Sequence, residues 1–349
     1  MADRVDRLAK RDLHHLVVEA FRASGWTVLY LPETADSALR LTIYKDNVVH
    51  TIRVYIWNVT HGGGMRRPTG EYRIQITGIH QFVEQLGEHT LVLGWWAPGS
   101  VFVGFDYQKH AGPLGASPSF QVSEETLQSA AANVFAPYRK ANDEIAIAFR
   151  PDFIGEYVNQ LHQLHAFGAT DEGLEVLDTL SRNPQAISET DSAIVGLDEP
   201  RKIALRSVRQ RVRDVRFRDR ILTAYSHLCA ICGMQLDLVE AAHIVPVADS
   251  RSIDHPRNGL ALCVLHHRAF DNALVTIQSD FHVALNLQEI ERLRATRKGE
   301  GETAFMDMIR KSPIHLPQQA SDWPDGANIQ IANELRGWAS LGADQIQVF

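Results

Sequence analysis

The chain has 349 residues, a formal net charge of −7 and a hydrophobic content of 45%, which is typical of a globular protein with room for two cores. No apolar run reaches the roughly 18 residues of a membrane-spanning helix, and no signal-peptide core is expected. The three cysteines lie close together in metal-type spacing, which argues against a disulfide framework and for a reducing compartment. We therefore expect a cytoplasmic protein without a membrane segment. The negative charge argues against a general nucleic-acid coat protein.

The first part of the chain predicts a mixed α+β domain. An amphipathic helix is expected over residues 4–23, ended by Gly25, because apolar side chains recur there at helical spacing. From Trp26 the pattern changes to strands separated by turn residues, and a second helix is expected over Glu124–Asn133. The strands are expected at Thr27–Leu31, Leu39–Tyr44, Val48–Asn58, Tyr72–Thr77, Leu91–Trp96 and Val101–Phe105.

Shifts in composition predict the domain organisation. We expect an α+β recognition or sensor domain over residues 1–168 and a linker over 169–200, which includes a short helical piece at Gly173–Leu180 and a run rich in Ser, Asn and Asp. Residues 201–349 are then a second domain, with a basic lead-in and a C-terminal tail. The sequence shows no internal repeat and no low-complexity tract.

Two features of the N-terminal domain suggest contact with DNA. A Gly-rich loop between strands carries Arg66 and Arg67, which could approach a phosphate backbone. Trp57, Trp95 and Trp96 could form the walls of a pocket for a base flipped out of the duplex. The alternative is a hairpin connection and three core tryptophans, because aromatic residues in strands most often belong to a core.

A basic segment opens the second domain. Between Arg201 and Arg220, nine basic residues accompany only two acidic ones, and apolar residues recur at spacings of three and four, as in a helix. This pattern is compatible with an arm that contacts DNA phosphates, and equally with a solvated helix face. The candidate DNA contacts are Arg209, Arg213, Arg216 and Arg218.

All three cysteines follow this segment. Cys229 and Cys232 form one closely spaced pair, and Cys263 with His266 forms a second. Two such pairs are the ligand set of a tetrahedral structural zinc ion, and four protein ligands leave no position open for substrate. The zinc would stabilise a hairpin and helix too short to fold unaided. The alternative is three buried cysteines and an unrelated histidine.

Three residues that such a zinc does not need are interleaved with its ligands: His243, Asn258 and His267. The arrangement resembles the HNH nucleases, the ββα-metal class that cuts DNA with one divalent ion, and the resemblance covers about residues 200–335. It implies His243 as general base and His267 as a ligand of catalytic Mg²⁺ or Mn²⁺. It also implies that Asn258 holds the loop that bears the base or reaches the metal.

The local pattern around these residues predicts strands at Leu236–Ala242 and Ile244–Val247, then a helix that carries His267 and Asp271. His267 and Asp271 are four residues apart, so they share a helix face and could converge on one ion. Many HNH sites carry Asp or His just before the base, where this chain has Ala242. Asp271 is therefore the expected additional ligand of the catalytic ion.

The resemblance as a whole implies a metal-dependent HNH DNA endonuclease, in the setting of restriction or antiviral defence. Its N-terminal domain is expected to recognise DNA, modified or not. Because cutting both strands needs two active sites or two successive nicks, a homodimer is expected. Three alternatives stay open: an effector nuclease activated by a small molecule on the N-terminal domain, a nuclease that acts on RNA, and a non-catalytic zinc module that binds DNA.

Overall fold

The computed structural model describes residues 7–32, 38–62, 70–140, 144–187, 194 and 196–349. The chain divides into two compact units, Met1–Val212 and Arg213–Phe349. One continuous helix, Glu199–Ala224, spans both residue 212 and the boundary expected from composition near residue 200. Among the described residues, no helix combines the length and apolar character that crossing a membrane requires.

The first unit is built on a mixed sheet. Its described strands are β1 (Thr27–Tyr30), β2 (Leu39–Lys45), β3 (Val48–Asn58), β4 (Thr60–His61), β5 (Glu71–Gln75), β6 (Glu88–Trp96), β7 (Val101–Phe105), β8 (Ser119–Ser123), β9 (Phe135–Arg139) and β10 (Ile145–Phe149). Seven of them form one sheet in the order β1-β2-β3-β6-β7-β10-β9, and β4-β5-β8 form a second. Within the larger sheet β3 and β6 are parallel, and the other neighbours are antiparallel.

Helices accompany these sheets. They are α1 (Lys10–Ala23), α2 (Glu124–Asn133), α3 (Ile154–Asn159), α4 (Leu161–Ala166), α5 (Asp171–Arg182) and α6 (Glu199–Ala224), the last of which continues into the second unit. Helix α1 begins at Lys10, because the backbone of Ala9 is extended. Residues 4–6 of the expected helix lie outside the described residues. Its end at Gly25, in the left-handed region at φ 80°, is as expected. Helix α5 lies within the expected linker, and it buries Leu177 and Leu180.

The second unit is a compact α+β arrangement. It contains strands β11 (Val239–His243), β12 (Gly259–Cys263), β13 (Val275–Ile277), β14 (Val283–Asn286) and β15 (Ile346–Val348), with helices α7 (Val264–Asp271), α8 (Leu287–Ala295), α9 (Glu302–Asp307) and α10 (Gly326–Leu335). Strands β11 and β12 pair antiparallel, and α7 follows β12 directly. The succession β11, β12, α7 is the ββα unit that the sequence predicted, so the expected α+β fold class is confirmed.

The second strand of that unit is not where the sequence placed it. Residues 244–247 leave the sheet, and the partner of β11 is β12, with His243 opposite Gly259. The cause lies at Asn258, whose backbone oxygen accepts from Ile244 N and whose Oδ1 accepts from Val245 N, both at 2.9 Å. These bonds turn the chain away from a strand path immediately after His243.

The absence of a side chain at Gly259 lets α6 pack closely against the hairpin. A Cβ at this position would overlap the side chain of Ile221 and lie 3.0 Å from Phe217 Cζ, and both of these residues belong to α6. Both are also buried in the core of the second unit. Gly259 therefore sets the distance between α6 and the strand that faces His243.

We expect Gly259→Ala to lower the stability of the second unit by about 1–3 kcal/mol, because α6 must move away from the hairpin. Urea unfolding followed by tryptophan fluorescence measures the change. Gly326→Ala is the matched control, since a Cβ there meets nothing within 4 Å. Equal midpoints for the Gly259→Ala variant and the parent protein would contradict the close-packing argument.

Candidate active site

Four side chains of the second unit converge on one point. Cys229, Cys232, Cys263 and His266 each offer an atom, and these atoms all lie within 4.8 Å of one another. His266 Nδ1 lies 3.6 Å from Cys229 Sγ and 3.2 Å from Cys263 Sγ, and Cys232 Sγ lies 3.9 Å from Cys263 Sγ. Such separations are expected of ligands about 2.1–2.3 Å from one tetrahedral ion. The cluster can therefore hold a metal such as zinc.

The thiols of this cluster do not ionise together without a cation. Burial raises the pKa of Cys232 to about 12 and also raises that of Cys263. Burial also opposes ionisation of Cys229, but the hydrogen bond with His266, backbone hydrogen bonds at Cys263 and Cys232 and the charge of His266 together outweigh it and lower that pKa to about 6. A divalent cation would stabilise all three thiolates at once, because a metal-bound thiol loses its proton.

His243, at the end of β11, is held by two neighbours, Asp254 and Phe217. Its Nε2 lies 3.2 Å from Asp254 Oδ1, and Asp254 Oδ2 accepts from Arg213 Nε at 2.7 Å. The Phe217 ring stacks on the imidazole with centroids 3.7 Å apart and planes 9° from parallel. Arg213 and Phe217 are both supplied by α6, so this helix fixes one side of the imidazole.

The charge of Asp254 determines which nitrogen of His243 is free. The hydrogen bond from His243 and the ion pair with Arg213 hold the pKa of Asp254 below its usual value, despite burial. An ionised carboxylate only accepts hydrogen bonds, so the proton of this contact is on Nε2. Nδ1 of the neutral ring then carries the lone pair that a general base needs.

Asn258 is fully buried, and its carboxamide contacts the loop between β11 and β12. Besides accepting from Val245 N, it donates from Nδ2 to the backbone oxygens of Val245 at 3.3 Å and Ile253 at 3.1 Å. A third Nδ2 contact reaches Ser252 Oγ at 3.2 Å. Of the two roles that the resemblance implied, this geometry supports the one in which Asn258 holds the loop.

His267 and Asp271 lie on one face of α7, as their spacing predicted. His267 Nε2 is 3.6 Å from Asp271 Oδ2. The other ring nitrogen, Nδ1, is 2.6 Å from Oε2 of Glu240 on β11. An imidazole nitrogen and a carboxylate oxygen at this separation can serve as two ligands of a single divalent ion.

Arg336, which follows α10, joins the His243 side of the site to the Asp271 side. Its Nη1 donates to the backbone oxygen of Ile244 at 2.8 Å, and its Nη2 lies 3.9 Å from Asp271 Oδ1. The guanidinium also lies over the Phe270 ring, 4.3 Å from its centroid. The side chain is 9% exposed, so these contacts hold it in place.

The predicted DNA contacts have different surroundings. Arg213 pairs with Asp254 through its Nε, which places it beside His243. Arg218 is exposed, and Arg209 and Arg216 are half-buried on the same helix. Within the part of the chain that the structure describes, the Arg218 guanidinium has no hydrogen bond or ion pair. Arg66 and Arg67 lie outside the described residues.

The three tryptophans do not form one pocket. Trp57 and Trp96 belong to one buried cluster of the first unit, whereas Trp95 contacts Phe102, with ring centroids 4.8 Å apart. Trp95 and Trp96 are consecutive in β6, so their side chains point to opposite faces of the sheet. All three are buried, which is the core arrangement given above as the alternative.

Sequence reasoning missed Glu240, Asp254 and Arg336. Asp254 contacts His243 across a loop, and Arg336 reaches Ile244 from 92 residues away in sequence, a separation that no local pattern indicates. Glu240 could have been found, because it precedes Ala242 by two residues on the same strand face and Ala242 had already raised the question of a missing ligand.

Two segments of the chain match known families. Residues 229–278 match the family model described as HNH endonuclease, and residues 50–158 match the one described as Methylase-associated X1. No curated protein matches the chain.

Among solved structures, the chain is similar to one described as "Modification dependent TagI restriction endonuclease". The identity is 13%, the alignment covers 82% of this chain and 81% of that chain, and the TM-score is 0.27. A likeness at this level supports no argument by itself.

The HNH match includes the complete Cys₃His cluster together with His243, Asn258, His267 and Asp271. It therefore falls on the ββα unit and on the side chains that the hairpin and α7 bring together. The resemblance inferred from the sequence is confirmed. Residues 229–278 match the HNH endonuclease family, and this match supports a nuclease activity for the second unit.

Proposed function

We propose that the protein is a metal-dependent DNA endonuclease of the restriction type, in which the N-terminal unit recognises the DNA and the C-terminal unit cuts it. The observation that carries the proposal is the paired set on the ββα unit: His243 held by Asp254, and His267 beside Asp271. One set supplies a base and the other supplies ligands for a cation. The family matched by residues 50–158 is named for an association with methylases, which fits a nuclease that responds to modified DNA.

Two kinds of metal are proposed. Zn²⁺ in the Cys₃His cluster would have a structural role, and Mg²⁺ or Mn²⁺ would bind at His267 and Asp271. When bound there, the divalent ion neutralises charge on the phosphate and stabilises the departing 3′-oxygen. The two sites are adjacent because the zinc ligand His266 and the catalytic-ion ligand His267 are consecutive in α7.

The side chains provide the remaining chemistry. His243 Nδ1 takes a proton from a water molecule, the water oxygen bonds to phosphorus, and the bond from phosphorus to the 3′-oxygen breaks, with its electron pair leaving on that oxygen. The 3′-oxygen then takes a proton from solvent. Asp254 keeps the His243 ring in the required orientation and stabilises the imidazolium that forms. Arg213 keeps Asp254 ionised and in place.

The first test is cleavage of unmodified plasmid and of cytosine-modified phage DNA, each with Mg²⁺ and with Mn²⁺. We expect the modified DNA to be cut, and His243→Ala to slow cleavage by about 10²–10⁴-fold, because the general base is lost. Asp249→Asn is the matched control, since Asp249 lies in the same loop and pairs with Arg251.

The other outcomes of this test separate the alternatives. Cleavage of both DNAs would make the N-terminal unit a sequence reader or an accessory. Preferential cleavage of RNA of the same sequence would make RNA, and not DNA, the substrate. If neither DNA is cut until a small molecule is added, the N-terminal unit is a sensor. Full activity of the His243→Ala variant would refute the proposed mechanism.

Asp254→Asn tests the orientation of the base. An amide can donate to His243 Nε2 and so favours the tautomer in which Nδ1, and not Nε2, carries the proton. We expect a loss in kcat of about 10²-fold or more with little change in KM. Single-turnover cleavage measures the effect. A rate within twofold of the parent protein would show that Asp254 does not orient the base.

The zinc proposal predicts one zinc per chain in the purified protein, as measured by plasma mass spectrometry. We expect Cys232→Ser to lose that zinc and to lower the melting temperature of the second unit, because metal binding contributes directly to folding. After treatment with a strong chelator, added Zn²⁺ should restore the melting transition and added Mg²⁺ should not. A zinc-free preparation with the same melting curve would rule out the structural zinc.

A further inference from the structure

We propose that Glu240 is a positioning residue of the catalytic-ion site. In this inference, which rests on the proposed function, Glu240 fixes the His267 ring so that Nε2 faces Asp271. It lies on the strand face where Ala242 offers no metal-binding side chain. The assignment follows from the strand face on which Glu240 lies, from its contact with His267, and from the way Arg336 holds the opposite ligand.

Glu240 and Ala242 project from the same face of the hairpin, because side chains of β11 alternate between its two faces. Ala242 is 1% exposed and has no ligand atom, whereas the Glu240 side chain is 54% exposed. A carboxylate is therefore available on the face where residue 242 offers no ligand, two residues earlier in the strand.

The contact with His267 defines what this carboxylate does. Glu240 Oε2 is 2.6 Å from His267 Nδ1, a normal distance for a charge-assisted hydrogen bond. A carboxylate only accepts, so the proton lies on Nδ1 and the lone pair of the neutral ring lies on Nε2. A metal-binding histidine commonly has its second nitrogen held in this way, which fixes both its tautomer and its orientation.

The direction of the free nitrogen fits an ion. Nε2 lies 3.6 Å from Asp271 Oδ2. Two ligand atoms about 2.1 Å from one ion are separated by about 3.0–3.6 Å when they subtend an angle of about 90–120°. The two atoms are therefore placed for one shared cation, with no change of rotamer required.

Arg336 restrains the other ligand. It lies 3.9 Å from Asp271 Oδ1 and is fixed by its bond to the Ile244 backbone. Glu240 thus holds His267 from the strand, and Arg336 holds Asp271 from the segment after α10. With His267 neutral, the charges of Glu240, Asp271 and Arg336 sum to −1. This net negative charge favours the binding of a divalent cation.

Stability does not explain the Glu240 contact. A partly exposed pair of this kind contributes little to the free energy of folding. Removing the carboxylate should therefore leave the protein folded while it changes the orientation of His267. A structural role thus predicts a less stable protein when the carboxylate is removed, whereas the positioning role predicts a folded protein with a changed orientation of His267.

The test uses the full chain, without DNA. Long-range ¹H–¹⁵N NMR spectra of the metal-free catalytic site, assigned with His267→Ala, report the tautomer of His267. Mn²⁺ binding is followed by electron paramagnetic resonance. The variants are Glu240→Ala and Glu240→Gln. Asp280→Asn is the matched control, because Asp280 lies 3.2 Å from His282 Nδ1 elsewhere in the same unit.

We expect the Nδ1–H tautomer in the parent protein and in Asp280→Asn, and a mixture of tautomers in Glu240→Ala. The Mn²⁺ dissociation constant should rise about 10–100-fold in Glu240→Ala, and less in Glu240→Gln, whose carbonyl still accepts a hydrogen bond. An unchanged tautomer and affinity in Glu240→Ala would overturn the inference. So would absence of Mn²⁺ binding in the parent protein.

Two further results distinguish the positioning role of Glu240 from a ligand role and from the proposed function. If Glu240→Gln loses Mn²⁺ as completely as His267→Ala, Glu240 is a ligand and the positioning role is wrong. If Mn²⁺ affinity depends on Glu240 as expected but no nucleic acid is cut, the inference stands and the proposed function fails. Neither readout depends on cleavage, so the two conclusions are tested independently.

Discussion

The buried carboxamide of Asn258 is the contact on which the geometry of the site depends. Its oxygen and nitrogen both bond to the loop that leaves β11, and leaving such a buried group unpaired would cost about 1–3 kcal/mol. The loop is therefore confined to a path that returns Asp254 to His243. Because Gly259 follows Asn258 and admits Phe217 and Ile221, the same turn also sets the position of α6. His243 is therefore fixed both by the loop and by α6 through one corner of the hairpin.

The hairpin is restrained at its other end by the Cys₃His cluster. Cys263 ends β12 opposite Val239, and the chain passes directly into α7 with His266 and His267. Consecutive residues of a helix project about 100° apart, so one imidazole reaches the cluster while the next faces Glu240 and Asp271. Short elements of five and eight residues hold a defined geometry here because both of their ends are restrained.

What the sequence could predict depended on how local each contact is. The pairs Cys229/Cys232 and Cys263/His266, and the pair His267/Asp271, are fixed by spacing within a turn or a helix, so they were found. β3 and β7 were found with their exact bounds, because turn residues flank them. Residues 244–247 look like a strand from their apolar side chains, but Asn258 accepts hydrogen bonds from the N–H groups of Ile244 and Val245. Arg336 and Asp254 reach the site only through the tertiary fold, which no local pattern records.

Because His266 and His267 are consecutive in α7, the position of His267 depends on the Cys₃His cluster. Cys232 is the half-buried member of the cluster, and Cys229 and Cys263 are buried. Displacement of Cys232, or of any other of the four side chains, would free the start of α7, and His267 would then no longer be held beside Asp271. The cluster and the pair of His267 and Asp271 would therefore be lost together, although neither member of that pair had been altered.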